Sequence, residues 1–187
     1  LDTSSRLSEV CCVRFVEVEA PRVLFQLITT VNRSLPHQEL LLVTLMTLRN
    51  VASRGAPLVN SVCVTSYLDV LLDQLQNFRD KKSVFLLAAD LVITIVSSDV
   101  GCREYLAGSK EHVKRLTGIA AINKRKVGGT NVLRTRVSAN TRPNVSMVAK
   151  MERNNSNKTN SNSNDNDKKN DLKAVKILEC LFETLGI

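Results

Sequence analysis

ELLLVTLMTLRNVAS, residues 39–53, decides the fold. Its aliphatic side chains lie nearly all round a helical wheel, and a helix without a wet face must be surrounded by other helices. SVFLLAADLVITIVSS, residues 83–98, has the same character. Each is preceded by a helix with a single apolar stripe. Leu24, Phe25, Ile28 and Val31 form the first stripe; Leu68, Leu71, Leu72, Leu75 and Phe78 form the second. The two units are offset by 45 to 47 residues: Leu24, Phe25, Ile28 and Val31 map onto Leu71, Leu72, Leu75 and Phe78, and TLRNVAS maps loosely onto VITIVSS.

An amphipathic helix followed by an all-apolar one at that period is the pattern of armadillo and HEAT repeats. A unit of this kind cannot bury its own apolar face and must stack on a neighbour. The expected fold is therefore all-α: a short α-solenoid of armadillo/HEAT-like repeats. An irregular helical bundle is the alternative.

Working outward, residues 5–18 place Leu7, Val10, Cys11, Phe15 and Val18 on one helical face. Pro21 and Pro36 suit the first turns of new helices, where a missing N–H costs nothing. Gly55 and Pro57 mark residues 54–64 as a loop. Ser66 with Asp69 reads as a capping box. Helices near 99–107 and 109–126 follow, and Gly128–Gly129 reads as a flexible exit. From 128 to 170 no apolar period survives, and NNSNKTNSNSNDNDKKND is low-complexity sequence with too little to bury. DLKAVKILECLFETLGI restores it, with Val175, Leu178, Cys180, Leu181, Phe182 and Leu185 on the apolar face and Gly186 as a stop signal. The expected organisation is helical repeats over 1–127, a basic, Asn/Ser-rich flexible loop over 128–170, and a C-terminal helix over 171–187 that packs back on the body.

The 187 residues suffice for one ordinary domain. The chain begins with Leu1, so it is expected to be a piece of something longer. No signal peptide is visible, and no apolar run reaches the length of a membrane span. Five cysteines without a CxxC predict buried, reduced thiols in a cytosolic or nuclear protein, with no metal and no cofactor.

The net charge of +8 is concentrated. Lys110–Arg153 holds eleven Lys/Arg against Glu111 and Glu152, so the rest of the chain carries −1. Lys124, Arg125, Lys126, Arg134, Arg136 and Arg142 form a basic strap without aromatics, and these are the candidate binding residues. Lacking stacking platforms, the strap disfavours single-strand base reading. Contact with a polyanion fits it: acidic tubulin tails, an acidic protein partner, or a nucleic-acid backbone. A solubilising loop or a nuclear-import sequence would share its composition. Phosphorylation at Thr135, Ser138 or Thr141 would subtract charge from it.

Catalytic motifs are missing: there is no GxSxG, Walker loop or HExxH. His37 after Pro36 reads as a surface or capping residue, and His112 among Lys110, Lys114 and Arg115 as part of a solvated face. Asp90, in an apolar helix, is expected to be a partnered structural acid. Asn50 is a second-rank binding candidate, because an asparagine there on an inner helix can hold an extended peptide; a local turn carbonyl is the competing partner.

FVEVEAPRVLFQLITTVNRSLPHQE, LRNVA, VLRTRVS and the final ETLGI, in that order, resemble the C-terminal region of the abnormal spindle family. The resemblance spans most of the chain outside the Asn/Ser-rich insert. It implies a microtubule-associated protein that focuses spindle poles, organises the mitotic spindle and binds calmodulin; this piece, without catalytic motifs, is expected to be a non-catalytic protein-interaction module of it. It also implies a location in the cytoplasm and cytoskeleton, at the spindle pole or centrosome, with the nucleus as an interphase alternative. No IQxxxRGxxxR motif or calponin-homology segment occurs here, so calmodulin is expected to bind through segments outside this chain. A nucleic-acid-binding helical domain and a purely structural solenoid cap are the competing functions.

Overall fold

Ser8 opens the first helix, α1 (Glu9–Glu17), its Oγ accepting the Cys11 N–H at 3.3 Å. The structure, a computed structural model, describes the backbone of residues 8–54, 56–132 and 161–187, and their side chains apart from 56–57, 128–132 and 161–168. Glu19 turns the chain with a left-handed φ of 53°, and α2 (Ala20–Thr30) begins with Pro21 in its first turn. Then follow α3 (Leu35–Ala52), the single turn α4 (Ala56–Val59), α5 (Thr65–Asn77), α6 (Lys82–Ser98), α7 (Val100–Gly108), α8 (Lys110–Val132) and α9 (Ser161–Leu185). The described residues form helices and no strand.

Packing follows the two apolar stretches. The most extensive contacts of α6 are with α3 and α9, which lie on different flanks of it. Val84, Phe85, Ala88, Ala89, Leu91, Val92, Ile95 and Val96 are all buried there, and no large hydrophobic of α6 is exposed. By contrast α3 has only one such neighbour, and Leu40 and Val43 stay exposed on it. The amphipathic helices make a second row, α2 against α5 and α5 against α8. Phe25 of α2 stacks on Tyr67 of α5, ring centroids 3.9 Å apart. Within each unit α2 meets α3, α5 meets α6 and α8 meets α9. The mapped positions Leu24, Phe25 and Ile28, and Leu71, Leu72, Leu75 and Phe78, are buried; Val31 is half-buried.

Several expectations need correction. The 54–64 segment is not all loop, since Leu58 and Val59 of α4, and Val62 after it, are buried. Ser66 and Asp69 do not make a capping box: the N-cap of α5 is Val64, without a side-chain cap, and Asp69 is held instead by residues of α7 and α8. Helix α8 runs through Gly128–Gly129 to Val132, and α9 begins at Ser161 rather than 171. Once a helix is nucleated, each further residue fixed adds one hydrogen bond, so extending it is easier than starting it, even through poor helix formers such as glycine and asparagine. On α9 the buried residues are Ala174, Leu178, Leu181 and Leu185, while Cys180 is exposed. Gly186, at φ 70°, closes α9: its N–H reaches the Glu183 carbonyl and the Ile187 N–H reaches that of Phe182, both at 3.2 Å.

All five cysteines are free, but only Cys12 and Cys102 are buried; Cys11 and Cys180 are exposed and Cys63 lies between. Burial, followed by the negative charge of Asp99, pushes the Cys63 thiol up to about 11. Burial and the Asp99 carboxylate push Cys102 up to about 12. Native protein at pH 8 is expected to give two fast thiols to a disulfide reagent, Cys11 and Cys180, and to release Cys12, Cys63 and Cys102 at least about tenfold more slowly, because the thiolate is the reacting species. The unfolded chain sheds these protons near pH 9.0, whereas the fold holds those of Cys63 and Cys102 to about 11 and 12. Their contribution to stability is therefore complete below pH 9 and is lost as pH rises through that window. A denaturation midpoint that rose from pH 9 to 11 would contradict this.

Candidate functional site

Helix α8 carries the charge. Its sequence holds Lys110, Lys114, Arg115, Lys124, Arg125 and Lys126 against one acid, Glu111. Two of these cations are spent within the fold: Arg115 pairs with Asp73 of α5 at 2.5 Å, and Lys124 lies 3.4 Å from Glu179 of α9. Lys110, Lys114, Arg125 and Lys126 make no ion pair among the described residues. Lys114 and Arg125 are eleven residues apart, close to three turns, so they share a side of the helix with Lys110. Arg134, Arg136 and Arg142 lie outside the described residues, as do Thr135, Ser138 and Thr141.

Between α8 and the end of α5 runs an open groove of about 600 Å³. Arg79, just past α5, stands on one wall; Lys110 and Lys114 stand on the other, with Glu111 among them. Its apolar lining, the floor, is Gly118, Ile119 and Ile122, and Gln76 and the ion-paired Arg115 complete it. A Cβ placed on Gly118 would meet nothing within 4 Å, so the glycine leaves open space there. This groove was not expected from the sequence. Lys110, Lys114, Gly118 and Ile122 at successive four-residue steps are the signal that could have found it.

His112 does not belong to a solvated face. Its side chain is 12% exposed, with Nε2 3.1 Å from Asp69 Oδ1. Tyr105 Oη donates to the other Asp69 oxygen at 2.9 Å, and the two rings meet at 4.9 Å. That hydrogen bond, more than burial, raises the Tyr105 pKa. The cluster fastens α5, α7 and α8. His37 Nδ1 accepts the Asn32 N–H at 3.1 Å, which is a local turn role. Asp90 is partnered, by Arg49 of α3, but a third of its side chain is exposed, so it is less buried than an all-apolar helix suggested. Asn50, next to Arg49, is half-buried and engaged within the fold.

A tighter polar cluster ties α9 down. Lys82 at the start of α6 pairs with Asp171, both side chains about four-fifths buried. Lys82 Nζ also lies 3.4 Å from Asn123 Oδ1, and Asn123 Nδ2 donates to the Ile119 carbonyl at 3.0 Å. Asn123, the residue before Lys124–Lys126, is itself buried. The basic surface thus grows from a fixed base. Among the described residues no group of three or more His, Cys, Asp or Glu side chains could hold a metal ion, and no single helix is long and apolar enough to cross a membrane.

Comparison with known proteins finds relatives for this chain. It is 30% identical over 149 residues, 72% of its length, to "Abnormal spindle-like microcephaly-associated protein homolog" of Felis catus. It is 35% identical over 81 residues to the homolog of Canis lupus familiaris, and 29% identical over 131 residues, 63% of its length, to the Homo sapiens protein. The chain spans about 4% of the length of the cat and human relatives. No family model and no solved structure matches it.

Proposed function

This chain belongs to the abnormal spindle family, and from that premise we propose that it is a non-catalytic protein-interaction module of a spindle-associated protein, one that touches the acidic surface of microtubules through α8. The observation that carries this reading is the set of cations on α8 that make no ion pair among the described residues. Folded proteins do not need such a concentration of like charge for stability; it raises the encounter rate with an anionic surface and selects against cationic ones. In this reading the helix pairs α2–α3, α5–α6 and α8–α9 are a short armadillo/HEAT-like α-solenoid that presents the surface. Spindle-pole focusing and mitotic spindle organisation would be the activity of the whole protein, located at the spindle pole.

Co-sedimentation with microtubules before and after removal of their acidic tails tests it. The chain is expected to pellet with intact microtubules and to lose at least about tenfold in affinity on tail removal, with a steep dependence on salt. Equal binding to both polymers, or to neither, overturns the reading.

A further inference from the structure

We propose that the groove between α5 and α8 is a docking site for an extended acidic peptide carrying one aliphatic side chain, which seats on the Gly118–Ile119–Ile122 floor. The proposal rests on the reading of α8 as the contact surface and names what that surface takes. Its first support is the combination of floor and rim. The floor is hydrocarbon and opens to solvent, with Gly118 leaving the room a side chain would otherwise fill. The rim is cationic: Arg79 on the α5 side, Lys110 and Lys114 on the α8 side, and none of the three has an ion pair among the described residues. An apolar pocket with a few charges around it binds and orients a ligand of the opposite charge that carries an apolar group.

The second support is length. From Lys110 to Arg125 the helix rises about 22 Å, which an extended peptide spans in about seven residues. Cations at both ends of that stripe would sit opposite acids on both sides of a central aliphatic residue. Glu111 decides between polyanions. A nucleic-acid strand carries phosphate at every step and meets repulsion from that carboxylate. A peptide can offer it a backbone N–H, a donor that a phosphodiester chain lacks. The floor has no ring to stack on a base.

The test uses the full 187-residue chain and fluorescein-labelled Glu-Glu-Glu-Leu-Glu-Glu-Glu, the same heptapeptide with Ser in place of Leu, and a twelve-nucleotide DNA as single strand and duplex. The Leu peptide is expected to bind about tenfold more tightly than the Ser peptide, the effect of one partly buried leucine. Gly118→Leu fills the floor and should abolish that preference while leaving the Ser peptide within about twofold. Its site is exposed and open, so the variant should fold, and an unchanged melting curve confirms it. Lys110→Glu with Lys114→Glu should weaken both peptides about tenfold or more. Equal affinity for the two peptides, a Leu preference that survives Gly118→Leu, or DNA binding that Gly118→Leu abolishes would each overturn the proposal. Microtubule co-sedimentation run alongside separates the two readings. A chain that binds the Leu peptide but no microtubules overturns the microtubule reading and leaves the groove standing. One that pellets with microtubules yet ignores the peptide overturns the groove alone.

Discussion

Phe85→Ala is expected to destabilise the protein by about 3–5 kcal/mol, a large share of the total stability of an ordinary domain. Phe85 is fully buried on α6, the helix with other helices on two flanks. A large-to-small change there loses the transfer free energy of the ring and leaves a cavity that close-packed neighbours fill only in part. The comparison that gives the number meaning is Leu40→Ala on α3. Leu40 is 40% exposed, and its truncation should cost less than about 1 kcal/mol. Urea denaturation of the two variants, followed by far-ultraviolet dichroism, measures both. Equal shifts in midpoint would mean that α6 is not the centre of the core.

Asp171→Ala should cost about 2–3 kcal/mol and act mainly on α9. The side chain of Lys82 is 17% exposed, and removing Asp171 strands its ammonium beside Asn123 alone, at 3.4 Å. Most of that cost is the solvation lost by an unpaired buried charge, not the strength of the pair. The double variant Lys82→Met with Asp171→Leu removes the stranded charge and should return to within about 1 kcal/mol of the parent. Hydrogen exchange along α9 distinguishes local undocking from global unfolding. A double variant no more stable than Asp171→Ala would show that the pair itself, and not the stranded charge, carries the energy.

Periodicity made the core legible before the structure did. Leu71, Leu72 and Leu75 are buried because their spacing puts them on one helical face, and Val84, Phe85, Ala88, Ala89, Leu91, Val92, Ile95 and Val96 are buried because that helix is apolar nearly all round. The basic character of 110–126 was legible from composition. The placement of those cations was not, because pairing is a tertiary property: nothing near Arg115 in sequence marks Asp73 as its partner, and nothing near Lys124 marks Glu179. Asp69 looked like a local cap because local hydrogen bonds are the ones that sequence spacing can show. His112 looked wet because its neighbours in sequence are charged, whereas its neighbours in space are Tyr105 and Asp69. The groove escaped for the same reason, since its far side is Gln76 of α5 and Arg79 just past it.

The charged links between successive helix pairs have a further consequence. Arg33 to Asp80, Arg49 to Asp90, Arg115 to Asp73 and Lys82 to Asp171 each cross from one pair to the next. The hydrocarbon surfaces beside them are mostly leucine and valine, so sliding one pair past another by a single turn would rebury nearly as much oil. It would also part every cation from its mate by about 5 Å. Adhesion is thus the work of the aliphatic faces, and alignment the work of the ions.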